Sequence, residues 1–245
     1  MQWEESEMKT ALVTGGSRGI GAAVARQLAT DGYQVAINYR SSRDRAEELA
    51  QELRGIAVQA DISDSVQVRK MVDTVLEKFC QLDILVCNAG VAWQGLVQDM
   101  EDEAWRKVLG TDLDGVFFCC RAVLPHMIGR KSGKIVTVSS MWGQVGASCE
   151  VAYSAAKAGV IGLTRALAKE VGPSGITVNC VAPGTIDTEM NQNIGPEALA
   201  ALAEETPLGR IGTAGGGASC VSFLCSPAAD FVTGQVLSVN GGLVI

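Results

Sequence analysis

The stretch TALVTGGSRGIG, residues 10–21, constrains this chain more than any other. A β-branched run leads into glycines at 15, 19 and 21, spaced for a sharp turn that opens directly into a helix. The same strand-then-helix grammar continues to the end of the chain. Candidate strands are 10–15, 34–39, 56–61, 83–89, 134–140, 176–183 and 236–240, separated by helical patterns at 19–30, 43–53, 64–79, 101–128, 151–171 and 214–225. Short apolar strands alternating with longer helices predict an α/β protein: a parallel sheet with helices on both faces. No repeat, low-complexity tract or linker interrupts the 245 residues, so one domain is expected over 1–245. A polar extension covers 1–8. The least regular segment, 184–212, is too long for an ordinary connection and suits a lid or binding segment. The glycines at 215–217 are a poor opening for the helix expected there.

Composition narrows the function classes. Hydrophobic residues make up 47% of the chain and charged ones 19%, enough for a large core. A net charge of −7 with no basic block argues against nucleic acid as a bulk partner. The eight cysteines form no CxxC pair, and Cys87, Cys120 and Cys180 fall inside apolar patterns. That is reduced, cytoplasmic usage, with no metal site expected. The start, MQWEESEMKT, is unlike a targeting peptide, and no apolar run approaches the ~18 residues that span a bilayer. A soluble, cytoplasmic protein without a membrane or nucleic-acid role is the expectation.

The glycine-rich turn supplies the first chemistry. Gly15, Ser17, Arg18, Gly19, Ile20 and Gly21 bring backbone and a helix N-terminus to where a dinucleotide pyrophosphate can sit. An acid closing the second strand would favour NAD. The chain instead reads Asn38-Tyr39-Arg40-Ser41-Ser42, with no acid before Asp44. Arg40 and the hydroxyls can meet a 2′-phosphate, with Arg18 close by, so NADP(H) is the expected cofactor. The alternative is that Arg40 is only a solvated loop residue.

Ser140 closes the fifth strand, and Tyr153 and Lys157 lie four apart on one face of the next helix. A free tyrosine, with a pKa of about 10, is a poor acid/base near neutrality. A cation one turn away favours the phenolate and so lowers that pKa. Ser140 stands where open α/β sheets bind ligands and can donate to a substrate oxygen.

TGGSRGIG, Asn88-Ala89-Gly90, Ser140, YSAAK, and VNCVAPG followed by Thr188 together resemble the short-chain dehydrogenase/reductase family, in order and over nearly the whole chain. The resemblance implies a single-domain, Rossmann-like, doubly wound parallel sheet of seven strands. KAGVIGLTRALAKEV, PGTIDTEM, PLGRIG and FVTGQVLSVNGG are similar to members that reduce 3-oxoacyl groups carried on acyl carrier protein, and 184–212 resembles their substrate loop. The resemblance makes Tyr153 the proton donor, Lys157 its tuner and a ribose contact, and Ser140 the carbonyl's orienter. It places Asp61 and Ile62 at the adenine, Asn88, Ala89 and Gly90 along the cofactor, and Pro183, Gly184, Ile186 and Thr188 at the carboxamide. It implies a homotetramer joined through the C-terminal strand and the helices at 101–128 and 151–171. The implied reaction is NADPH-dependent reduction of a 3-oxoacyl thioester in fatty acid synthesis. Alternatives are another ketone, a sugar or a 3-ketoacyl-CoA as substrate, or a nucleotide-binding regulator with weakened catalysis.

Several residues depart from the pattern. The family's helix asparagine is Asp112 here, within GTDLDGVFF. Helical spacing puts it on a stripe with Leu109, Val116 and Cys120, flanked by Trp105, Val108, Leu113 and Phe117, where a lone carboxylate is costly. Asp112 either pairs with Lys157, directly or through water, or over-stabilises the lysine cation and slows turnover. Arg130 and Lys131 are candidate carrier-protein contacts or else a solvated helix end; the family's second basic position is Ser174. His126 reads as structural and Cys149 as shaping the substrate mouth, while Trp93, Gln94, Met141 and Trp142 are candidate pocket walls.

Overall fold

The structure is a computed structural model that describes residues 8–191 and 195–245. The first seven residues of the expected N-terminal extension, and 192–194 within the expected substrate loop, lie outside the described residues. The chain runs β1 (Thr10–Val13), α1 (Gly19–Thr30), β2 (Gln34–Tyr39), α2 (Arg43–Glu52), β3 (Ile56–Gln59), α3 (Ser65–Phe79) and β4 (Ile84–Cys87). It continues through α4 (Asp102–Leu109), α5 (Gly115–Arg130), β5 (Gly133–Val138), α6 (Trp142–Val145), α7 (Val151–Val171) and β6 (Ile176–Pro183). After these come β7 (Ile186–Asp187), α8 (Pro196–Glu205), β8 (Gly212–Thr213), α9 (Ala214–Cys225) and β9 (Val236–Val239).

Seven strands form one sheet in the order β3-β2-β1-β4-β5-β6-β9, every neighbour parallel. Successive side chains of a strand point to opposite faces, so a strand apolar at every position needs cover on both. Ala11, Val13, Ile84, Val86, Val136 and Val138 meet α1, α2 and α9 through Val24, Leu28, Leu49, Val221 and Leu224. Their neighbours Leu12, Leu85, Cys87 and Ile135 meet α3, α5 and α7 through Val68, Met71, Val116, Val123 and Val160. Each fully buried Leu or Ile adds about 2 kcal/mol of transfer free energy.

The strand order reverses between β1 and β4, whose C-terminal ends open the crevice where such sheets bind ligands. β7 and β8 pair with each other and pin the two ends of the segment after β6. The glycine run opens α9 because the Thr213 hydroxyl caps it, accepting from the Gly216 N–H at 3.2 Å. Gly217 is buried against Ile20 of α1.

The expected helix over 101–128 is not one regular helix. A π-turn, Gly110–Asp114, joins α4 to α5, closed by the Gly115 N–H on the Gly110 carbonyl. The wider turn changes which residues face inward. Asp112, Val116 and Cys120 are buried as the stripe requires, whereas Trp105 and Phe117 are 40% and 44% exposed. Asp114 is a solvated flank.

Candidate active site

The crevice is organised first by backbone. Gly15 and Gly19 adopt φ of +60° and +54°, which a side chain would resist. A Cβ on Gly15 would stand 2.7 Å from the Ala89 Cα, so β1 and β4 close on each other only through glycine there. A Cβ on Gly21 would run into the Gly15 carbonyl. No side chain caps α1, whose free N–H groups can hold an anion. The residues present therefore fit a dinucleotide pyrophosphate.

Several expected cofactor contacts turn out to build this cradle. The Asn88 amide donates to the Thr14 and Gly15 carbonyls at 3.0 and 3.1 Å, so it holds the glycine turn. Asn38 is buried: its Oδ1 accepts from the Gly15 N–H at 3.3 Å and its amide donates to the Ala60 carbonyl at 3.1 Å. The Tyr39 and Ile62 side chains are buried in the two cores, leaving only backbone to offer a ligand. Asp61 accepts from the Ser63 hydroxyl at 2.7 Å and stands 3.8 Å from Arg40. Ser17 and Ser41 reach solvent at the crevice mouth. Pro183 and Ile186 are buried, with Gly184 and Thr188 half-buried between and beyond them. Thr14, which the sequence reading passed over, donates to the Val86 carbonyl at 3.3 Å and accepts from the Asn88 and Ala89 N–H groups at 3.0 and 3.2 Å.

The second half of the site lies past β5 and along α7. Ser140 falls two residues beyond β5 rather than ending it, and its Oγ accepts from the Trp142 N–H at 3.1 Å. Ser139 donates to the Lys157 carbonyl at 2.8 Å, fastening α7 to the strand end. Gly143 permits this approach, since a Cβ there would lie 2.6 Å from the Ser139 Oγ. Lys157, buried, donates through Nζ to the Val138 carbonyl at 3.1 Å and sits 5.4 Å from the Tyr153 ring centre.

Asp112 completes the group. It is fully buried, with Oδ2 3.2 Å from Lys157 Nζ and Oδ1 accepting from the Val91 N–H at 2.8 Å. Oδ2 has no aligned hydrogen bond, so its contact with Lys157 is Coulombic. Gly90 makes room, for a Cβ there would stand 2.8 Å from that oxygen and 3.3 Å from Nζ. Burial raises the Asp112 carboxyl above the usual range, against the pull of Lys157 and the Val91 amide. Burial pulls Lys157 down, but the charges of Asp112 and Tyr153 more than offset it and the ammonium is held above its usual value. Lys157 faces two acidic groups and Asp112 only one cation, so the lysine remains charged.

Tyr153 corrects an expectation. Its phenol is raised rather than lowered: burial is the largest cause, Asp112 adds to it, and Lys157 and Ser140 pull against both. The lysine one turn away pulls the phenol down as its spacing predicts, and desolvation outweighs it. The phenol thus stands protonated near neutrality.

Trp93 packs with Tyr153, Val108 and Ala152 in a small apolar cluster beside the site. Gln94 is exposed, Trp142 half-buried and Met141 buried. Cys149 takes φ +63°, and its carbonyl accepts from the Gly95 N–H at 2.9 Å, tying together the two loops beside Tyr153. His126 is structural: Nε2 accepts from the Leu82 N–H at 3.1 Å, and burial and Arg130 lower its pKa. Arg130 pairs with Asp83 at 3.2 Å. Arg130 and Lys131 precede β5 whereas Ser140 follows it, so within one chain they stand at the opposite edge of the sheet, about 20 Å away by strand rise.

A family model described as enoyl-(acyl carrier protein) reductase matches residues 15–244. This chain belongs to the short-chain dehydrogenase/reductase family. It is 42% identical over 240 residues to a 3-oxoacyl-[acyl-carrier-protein] reductase of Staphylococcus aureus, covering 96% of this chain and 98% of that protein. The same name is carried by a Synechocystis protein 42% identical over 243 residues, 97% of each chain. An uncharacterized oxidoreductase of Bacillus subtilis is 39% identical over 240 residues, covering 96% of this chain and 98% of the relative.

Proposed function

We propose that this oxidoreductase reduces the 3-ketone of a 3-oxoacyl thioester borne on acyl carrier protein, using NADPH, to the 3-hydroxyacyl product. The observation that carries the reading is the grouping of the Tyr153 side chain, the buried Lys157 ammonium and the Ser140 hydroxyl at the crevice edge. The nicotinamide supplies hydride when bound. Ser140 donates a hydrogen bond to the ketone oxygen. Tyr153 gives its proton to that oxygen as charge builds there, and Lys157 stabilises the phenolate left behind. Asp112 neutralises the lysine and keeps it aimed at Tyr153. Gly15, Gly19 and Gly21 cradle the pyrophosphate, and Arg18 lies beside the ribose end. The 3-oxoacyl reductase names of relatives covering nearly all of the chain support this substrate over the enoyl one in the family description.

The described residues hold no helix long and apolar enough to cross a membrane. Exposed Trp105, Phe117 and Val151 on the helical side, and Phe231 and Ile245 at the C-terminal edge, support a homotetramer built on two apolar faces. The segment after β6, pinned by β7 and β8, is the substrate loop.

The test follows NADPH and NADH oxidation with acetoacetyl-acyl carrier protein, acetoacetyl-CoA and a panel of simple ketones. Fastest turnover with NADPH and the carrier-linked substrate is expected. Binding of NADPH with no oxidation of it by any substrate would replace the enzyme with a nucleotide-binding regulator, and faster turnover on simple ketones would replace the thioester.

A further inference from the structure

The segment beyond β6 folds back over the mouth of the glycine-rich turn. Asn191 closes it locally, its N–H donating to the Thr188 carbonyl at 3.0 Å and its side-chain amide to the Ile186 carbonyl at 2.8 Å. The small turn so formed lies against the cradle, since a Cβ on Gly19 would be 3.5 Å from the Thr188 methyl. It carries Glu189 across to two arginines from two different elements. Glu189 Oε2 is 3.3 Å from Arg18 Nη1, and Oε1 is 2.6 Å from Arg45 Nη1.

Arg18 precedes α1, and Arg45 sits in the first turn of α2, just past the end of β2 where dinucleotide sites tell a phosphorylated ribose from a bare one. A cation in the first turn is opposed by the helix dipole, so Arg45 is poorly placed unless an anion faces it. Two guanidiniums converging on one carboxylate are equally suited to a phosphate monoester, the other anion whose geometry matches their donors. Arg40, the residue the sequence favours for that duty, instead faces Asp61.

We infer that Glu189 is a specificity-determining residue: its carboxylate occupies Arg18 and Arg45 in place of a ribose phosphate monoester, and a phosphorylated dinucleotide must displace it. The inference rests on the NADPH reading and deepens it. Phosphate and the 186–191 turn compete for the same two guanidiniums, so NADPH releases this part of the loop after β6 and NADH leaves it latched. All three side chains keep contact with solvent, which lets the exchange occur without opening the core.

Dissociation constants for NADPH and NADH, measured by titration calorimetry without substrate, test this on wild type, Glu189→Gln, Arg45→Gln and the double variant. Removing the carboxylate should tighten NADPH about three- to tenfold, the effect of losing two exposed ion pairs, and leave NADH within about twofold. Arg45→Gln should weaken NADPH selectively by about fivefold, and in that background the Glu189→Gln gain should fall by half or more. Weaker NADPH binding in Glu189→Gln, an equal change for both cofactors, or no change would overturn the latch while the NADPH preference of wild type stands. Wild-type protein that binds NADH more tightly than NADPH would overturn the NADPH reading and the latch together.

Discussion

Asp112–Lys157 and Glu189–Arg18–Arg45 are both carboxylates on cations at one crevice, yet they obey different physics. The first pair has side chains 0% and 4% exposed, and the second is open, Arg18 at 60% and Glu189 at 35%. In the interior neither charge can turn to water, so removing one partner strands the other. At the mouth, water and salt take over whenever a better anion arrives. The buried pair can therefore serve as a fixed part of the proton machinery, and the open one as a contact made to be exchanged.

The largest break in this contrast is Asp112→Ala. It leaves a buried ammonium without its counter-charge and should cost about 3 kcal/mol or more, read as a lower urea midpoint. A loss under about 1 kcal/mol would mean that Lys157 needs no partner. Next comes Asp112→Asn, which keeps a side-chain oxygen for the Val91 N–H and removes the charge. Asp112 helps raise the Tyr153 phenol, so its loss lowers that pKa. Reduction needs the protonated phenol, so the alkaline limb of kcat/KM for ketone reduction should move to lower pH, with activity near neutrality retained. An unmoved limb would show that Asp112 acts on Tyr153 through shape alone. The smallest effect belongs to the open pair. Glu189→Gln should change unfolding free energy by no more than about 1.5 kcal/mol, the worth of two exposed ion pairs. A loss several times larger would make Glu189 a structural brace and not a latch.

Legibility followed the range of each interaction. β1, α1, α7 and α9 follow from runs a reader can see, because period and glycine placement act between neighbours. The serine, tyrosine and lysine of the site were equally plain from one strand end and one helical turn. The bracing done by Asn38 and Asn88 is not legible in the sequence, since only the folded chain brings the carbonyls of Thr14, Gly15 and Ala60 to their amides. The π-turn at Gly110–Asp114 is likewise invisible to an even helical count, and it carries Asp112. Arg45 carries one signal in the sequence, a cation in a helix's first turn.

By itself the sequence determined the doubly wound sheet, the glycine cradle and the Tyr153–Lys157 face, because backbone conformation and side-chain periodicity are set by residues close along the chain. Only the tertiary structure decided which charge meets which. Lys157 finds Asp112 and Arg45 finds Glu189, 144 residues on, through the meeting of distant elements at one sheet edge. Desolvation likewise exists only once the chain has closed, which is why the same Tyr153 that a lysine one turn away should acidify is held protonated in the fold.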